Sequence, residues 1–271
     1  MAMDQVYLNL GCGNIFISKK PWINMDWAPL NSKVIKANLL DSLKFENSTI
    51  DLIYSSHFIE HISIERLPIL LKEYHRVLKS GGILRIVLPD FENIAREYVN
   101  NVDAGKYQNS FFNILEMIDQ CVRNKSGGKL SDFYFESRNN SELSNYIERR
   151  TGYSHKARLN ITKEFYKQDI KFIISRIWRR TASLYINIIK LFLPRWYKDM
   201  YLSKTQPGEK HLWVHDFYSI SIMLNSVGFK KIYKMSPISS NLKNFPFHPL
   251  DVNIQGKSIK GEESMYIEAI K

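Results

Sequence analysis

The residues suited to chemistry fall at the ends of apolar stretches. "YLNLGCGN" (7–14) runs into Gly11 and Gly13, "WINMDW" (22–27) into Asp26, "TIDLIYSSH" (49–57) into Ser56 and His57, and "ILRIVLPD" (83–90) into Asp90. Glycines let a ligand approach the backbone closely. A carboxylate accepts hydrogen bonds from hydroxyl groups. A histidine, with an unperturbed pKa of about 6.5, can take a proton from an acceptor hydroxyl, and His57 is the candidate for that role. Asp90 either faces a pocket or caps the helix that follows it. His61 reads as structural. His211 and His215 are spaced i, i+4, yet no Glu or Cys completes a ligand set beside them, so no metal site is expected.

The glycine loop alone does not choose its ligand. A dinucleotide fingerprint has a third glycine, opens a full helix and meets its ribose-binding acid about 20 residues on. Here the third glycine is missing, and twelve residues separate Gly13 from Asp26. Residues 14–20 have room for a helical turn or two before Pro21. A nicotinamide-dependent dehydrogenase is therefore the weaker enzyme reading, and no Tyr/Lys hydride-transfer pair supports it.

Stepping outward, the elements that must hold these residues alternate in the α/β manner. Strands are expected at 6–10, 22–27, 33–40, 49–56 and 83–90. A helix is expected after His57, with Ile59, Ile62, Leu67, Leu70, Leu71, Tyr74 and Leu78 near helical spacing and Gly81–Gly82 at its end. Residues 91–209 change to helical and polar-loop character. "HDFYSISIMLNSVGF" (215–229) then reads as a helix capped by Asp216 and closed by Gly228. Strands at 230–235 and 264–271 are expected to form an antiparallel hairpin at one sheet edge. The sum is a doubly wound, mostly parallel, seven-stranded sheet with a helical insertion.

"LNLGCG", the acid ending the second strand, "DLIYSSHFIEH" and "HRVLKSGGILRIVLPD" resemble the class I S-adenosylmethionine-dependent methyltransferases. More narrowly, "WINMDW", "SSHFIEH", "RIVLPDF" and "HLWVHDFYSISIMLNSVGF" are similar to methyltransferases associated with bacterial surface-polysaccharide synthesis. The resemblance covers 6–98 and 209–271, which makes 1–98 and 209–271 the expected core and 99–208 an insertion serving as lid or as acceptor- or membrane-binding element. It implies S-adenosylmethionine as cofactor. Leu10, Gly11, Cys12 and Gly13 would line its methionine portion, Asp26 would accept the ribose hydroxyls, and Trp27 would stack on adenine. Asn38, followed by Leu39 and with Asp41 near, stands where many relatives carry an acid for the adenine amino group. Ser56 and His57 would border the sulfonium and the acceptor. A cofactor without phosphates also explains a glycine loop with little helix behind it, because there is no pyrophosphate to set against helix-terminal amides. The implied activity is O-methylation of a surface-glycan building block, such as one of capsule or lipopolysaccharide, or of its phosphate-type modification.

The net charge of +11 is concentrated. Twelve Lys and Arg face three acids between His155 and Lys204, a net of +9. Arg176, Arg179, Arg180 and Lys190 lie there among Ile, Trp and Phe residues. An amphipathic cover for the site, a peripheral membrane contact through 165–200 and a phosphate-rich ligand all fit that pattern. An RNA methyltransferase or RNA-binding protein is the alternative function, though no compact RNA-binding motif accompanies the charge. Nucleic acid is thus not the expected partner; an anionic small-molecule or glycan acceptor is. Two cysteines, Cys12 and Cys121, form no disulfide framework, and "MAMDQVYLNL" has no secretory pattern, so a cytoplasmic location at or near the inner membrane face is expected.

Overall fold

The structure, a computed structural model, describes residues 5–29, 31–153, 192–194, 205 and 208–271. Seven strands form one sheet: β1 (Tyr7–Leu10), β2 (Trp22–Asp26), β3 (Ile35–Lys36), β4 (Ile50–Ser56), β5 (Leu78–Pro89), β6 (Lys231–Met235) and β7 (Ser264–Ile270). Their order is β3-β2-β1-β4-β5-β7-β6. β7 runs antiparallel between β5 and β6, and the other pairings are parallel. The order reverses between β1 and β4, which is where open α/β sheets bind ligands, outside the carboxyl ends of the strands.

Alternation along the strands divides two cores. Leu8, Leu10, Ile53, Leu84, Ile86 and Leu88 pack on one face, against α1 (Leu67–Val77). Tyr7, Leu52, Tyr54, Ile83 and Val87 pack on the other. β1 is buried throughout, as a central parallel strand must be. Arg85 also faces the second side and is fully buried, with Asp251 and Glu268 as its counterions.

Local chemistry moved several boundaries. The chain after Gly13 forms turns and irregular backbone, with no helix. Buried Asn9 and Asn24 each donate from Nδ2 to carbonyls of that segment, at Ile15 and Ile17, which takes acceptors a helix would use. The helix expected from His57 onward is a single tight turn, Ile59–His61, and α1 begins only at Leu67. Pro68, lacking an N–H, fits in a first turn but not in the middle of a longer helix. α1 ends at Val77, and Gly81–Gly82 lie in the lead-in of β5, where the register against β4 shifts. The third strand is two residues long. β6 and β7 pair as expected but form no tight hairpin, since Ser236–Glu263 intervene.

Beyond β5 lie α2 (Phe91–Asp103), α3 (Tyr107–Ile114), a π-helical turn (Leu115–Asp119), α4 (Gln120–Val122), α5 (Gly128–Glu136) and α6 (Ser141–Thr151). Phe112, Leu143, Tyr146 and Ile147 give them a small core of their own. α7 (Phe217–Ser226) opens on a capping box between Asp216 and Ser219, satisfying helix-end amides as its sequence signalled. Most of the basic stretch, including Arg176, Arg179, Arg180 and Lys190, lies outside the described residues, and so does the greater part of the 165–200 membrane-contact expectation. Among the described residues no helix is long and apolar enough to cross a membrane.

Candidate active site

The glycine loop is pinned to the end of β2. Gly11 N donates to Met25 O at 2.9 Å, and Gly13 N donates to Asp26 Oδ2, also at 2.9 Å. Gly11 has φ +70°, and a Cβ there would lie 2.8 Å from the Phe58 ring. At Gly13, with φ +52°, the Cβ direction is open for 4 Å. The loop is thus an open cradle bounded by one carboxylate. Asp26 Oδ1 accepts from Ala28 N at 2.8 Å, and the residue stays partly exposed, so both oxygens keep lone pairs for ligand hydroxyls. Trp27 is 59% exposed beside it, free to lie against a base. These features fit S-adenosylmethionine: backbone for its amino-acid end, a carboxylate for its ribose, an aromatic face for adenine.

The remaining positions expected around the cofactor divide. Leu10 is fully buried and supports the loop from the core, and Leu39 is buried below the end of β3. Cys12 is also buried; burial and the Asp26 charge push its thiol up to about 12, so it is no nucleophile at neutral pH. Asn38 is exposed, with its side-chain oxygen accepting from Leu40 N at 3.2 Å. Ser56 and His57 follow at the carboxyl end of β4.

His57 occupies the left-handed region at φ +49°, an uncommon conformation for a non-glycine residue, with its N–H held by Val87 O at 2.8 Å. Its Nε2 is 3.0 Å from Ser264 Oγ, and its Nδ1 is 3.3 Å from Glu60 Oε1. Ser264 Oγ also lies 3.1 Å from Lys260 O, to which it donates, so the ring is held between a hydroxyl and a carboxylate. Neither oxygen of Glu60, a residue 2% exposed, has a hydrogen-bond partner.

Two electrostatic effects conflict here. Burial raises Glu60, whereas a proton on His57 and the charges of His57, His61 and His211 would bring it down to about 2. The same burial pushes His57 below its ordinary value and His211 to about 4. Near neutral pH, His57 and His211 are thus uncharged rings beside the Glu60 carboxylate.

The histidines are held by their neighbours. His61 Nδ1 donates to Lys210 O at 2.8 Å, and its ring meets that of His211 edge-on, centroids 4.9 Å apart. His215 is buried with both ring nitrogens unpartnered, and burial pushes it to about 4. His211 and His215, spaced i, i+4, do not face one site: the structure brings His211 to Glu60 and His61, so the acid that the sequence did not show beside them comes from another element. Asp90 caps α2 through Asn93 N at 3.3 Å and pairs with Lys234 at 2.7 Å, so of its two readings the cap is the one realised.

A cavity of about 620 Å³ opens over this cluster, lined by His57, Glu60, His61, Arg123, Tyr134 and Lys260 among others. Lys260 and Glu263 come from the connection into β7, whose antiparallel direction brings its start to the carboxyl end of β4 and β5. Arg123 follows α4 and pairs with Asp119 at 2.8 Å and Glu209 at 3.3 Å. Burial and the neighbouring Glu116 push the Glu263 carboxyl well above its ordinary range. The sequence reading missed Glu60, Lys260, Glu263, Glu116 and Arg123. The one available signal was "HFIEH", two histidines and an acid within five residues beyond a strand end.

Residues 8–86 match a family described as a methyltransferase domain, a span holding the glycine loop, Asp26 and the whole of β4. No curated protein matches the chain. Among solved structures, a S-adenosylmethionine-dependent methyltransferase from Archaeoglobus fulgidus is 14% identical, with 99% of this chain and 87% of that one covered at a TM-score of 0.40. One from Mesorhizobium loti is 17% identical over 33% of this chain and 48% of its own, at a TM-score of 0.28. The domain match lies on the very elements that build the open cradle at the β1–β4 switch point, so residues 8–86 are similar to a methyltransferase domain where the glycine loop and Asp26 stand.

Proposed function

We propose that the protein methylates an oxygen of a polar, hydroxyl-rich acceptor, a surface-glycan building block or its phosphate-type modification. The observation that carries this reading is the cavity of about 620 Å³ over the Glu60 cluster, reached from the end of β4 at His57, whose lining includes His57, Lys260 and Arg123. Such a lining of acids, histidines and Lys260 offers hydrogen bonds to a hydroxyl-rich acceptor, and it is ill matched to an apolar substrate.

The bound cofactor supplies an activated methyl group on a sulfonium. The chain supplies position and proton handling. Gly11 and Gly13 admit the cofactor's amino-acid end against backbone, and Asp26 takes the ribose hydroxyls. His57 takes up the proton of an acceptor hydroxyl presented from the cavity, its ring held between Ser264 and Glu60. Lys260, one of the basic groups facing the cavity, holds an anionic part of the acceptor. The excess charge of residues 155–204 supports an anionic acceptor or a lipid-linked one met at the inner face of the membrane.

The test is mass spectrometry of sugar nucleotides, glycans and phosphate-modified intermediates incubated with the protein and S-adenosylmethionine. The reading expects one added methyl group on an oxygen, with turnover falling about 10²-fold or more in His57→Ala while S-adenosylhomocysteine still binds. Methylation confined to RNA or to a protein would overturn it.

A further inference from the structure

Glu60, His61 and His211 each direct one ligand-type atom to a common point, all three atoms lying within 4.8 Å of one another. We propose that they bind a divalent transition metal of the zinc type, with the open coordination positions facing the cavity. This deepens the reading given under Proposed function and rests on it for the role of the metal, not for its binding.

Several independent observations point to a cation. Glu60 is buried, and neither of its oxygens has a hydrogen-bond partner. Leaving such a group unmatched is costly, and a fold accepts the cost only where something else completes the site. The nearest ring nitrogen, His57 Nδ1, lies 3.3 Å from Glu60 Oε1 and reaches only that one of the two oxygens. His61 has Nδ1 committed to the Lys210 carbonyl, the partner that typically fixes the tautomer and aim of a metal-binding histidine and leaves Nε2 to coordinate. His211 has no hydrogen bond from either ring nitrogen to any described residue.

The backbone holds the ligands in place before any metal arrives. Glu60 O accepts from Leu212 N at 2.7 Å, and His211 N donates to Gln120 O at 3.1 Å, so the Ile59–His61 turn and the segment around His211 are tied together. Two imidazoles and one carboxylate form a donor set used by zinc with a position left open, and nitrogen donors disfavour magnesium and calcium. Tetrahedral zinc bonds of about 2.1 Å put ligand atoms about 3.4 Å apart, so side-chain rotation need close the set by at most about 1.4 Å. The remaining positions open on the cavity of about 620 Å³, where an acceptor oxygen or water would enter. Asp26 and the glycine loop are not part of this set, so cofactor binding does not depend on it.

The experiment uses the full chain, stripped with a chelator and titrated with Zn²⁺ by calorimetry and with Co²⁺ by visible absorbance. Wild type is expected to bind one equivalent and to show the absorbance of Co²⁺ held by nitrogen and oxygen ligands. Glu60→Gln and His211→Gln, each checked as folded by circular dichroism, should lose affinity by more than the roughly 10–100-fold typical of a lost outer-shell partner. His215→Asn should bind as wild type does. Absence of saturable Zn²⁺ binding, or equal affinity in wild type and both ligand variants, would overturn the site. Methyl transfer is read on the same samples: binding as predicted with no oxygen acceptor methylated keeps the metal site and removes the acceptor reading.

Discussion

The buried ionisable side chains around Arg85 and those around Glu60 are built on opposite plans. Around Arg85, on β5, every charge is answered. Its guanidinium donates to Asp251 Oδ2 at 2.9 Å, Glu268 Oε1 at 2.8 Å, and the carbonyls of Ser239 and Ser236 at 3.0 and 3.2 Å. Tyr54 adds a bond to Asp251 Oδ1, Asn241 one to Glu268 Oε2, and the Phe245 ring lies 4.7 Å below the guanidinium carbon. Around Glu60, at the mouth of the site, both carboxylate oxygens and both nitrogens of His215 go without. The first plan stabilises a fold. The second leaves unmet hydrogen-bonding capacity of about 1–3 kcal/mol per group, which stability alone does not explain. Complete satisfaction marks structure here, and incomplete satisfaction beside a cavity marks function.

The comparison breaks most visibly at Arg85. Replacing it with Met keeps much of the volume but strands Asp251 and Glu268 as buried acids, and the loss should be about 3–5 kcal/mol in urea unfolding. Asp251 is already pushed up by burial with Arg85 opposing that push, so the variant's remaining stability should fall further wherever both acids are ionised. Stability within about 1 kcal/mol of wild type would mean the network is dispensable.

A smaller effect, on binding and not on folding, belongs to Asp26. Asp26→Ala should weaken S-adenosylhomocysteine by about 1–3 kcal/mol in calorimetry, the scale of losing hydrogen bonds to a charged group, with the melting temperature little changed. The variant also removes the acceptor of Gly13 N, whose exposed amide can turn to water. Unchanged affinity in folded protein would remove Asp26 from the cofactor site.

What could be read in advance follows the same division. The glycine loop, Asp26, the strand ends and the Asp216 cap are each written within a few consecutive residues, because period-two burial and capping are local effects. The Glu60 cluster is not local. Glu60 and His61 follow β4, His211 comes from beyond the insertion, and Lys260 and Glu263 arrive on the connection into β7. The antiparallel run of β7 and tertiary hydrogen bonds such as that from Leu212 N to Glu60 O bring them together. His211 was therefore compared with His215, its neighbour in sequence, instead of Glu60, its neighbour in space. The absent helix after Gly13 failed for a related reason: the buried side chains of Asn9 and Asn24, on other strands, hold its carbonyls.

The most direct measurement is one series of thermal unfolding curves on wild type and Glu60→Gln, in chelator, with and without S-adenosylhomocysteine. Gln at this position removes a buried charge and keeps both a donor and an acceptor within reach of His57 Nδ1, so the variant should melt no lower than wild type. It should also keep the full upward shift on adding ligand, because the cofactor is held elsewhere, while losing methyl transfer. A Glu60→Gln protein destabilised on the Arg85→Met scale, or one that has lost the ligand shift, would contradict the account: Glu60 would then be a structural group or part of the cofactor site, and the contrast between the two clusters would carry no functional meaning.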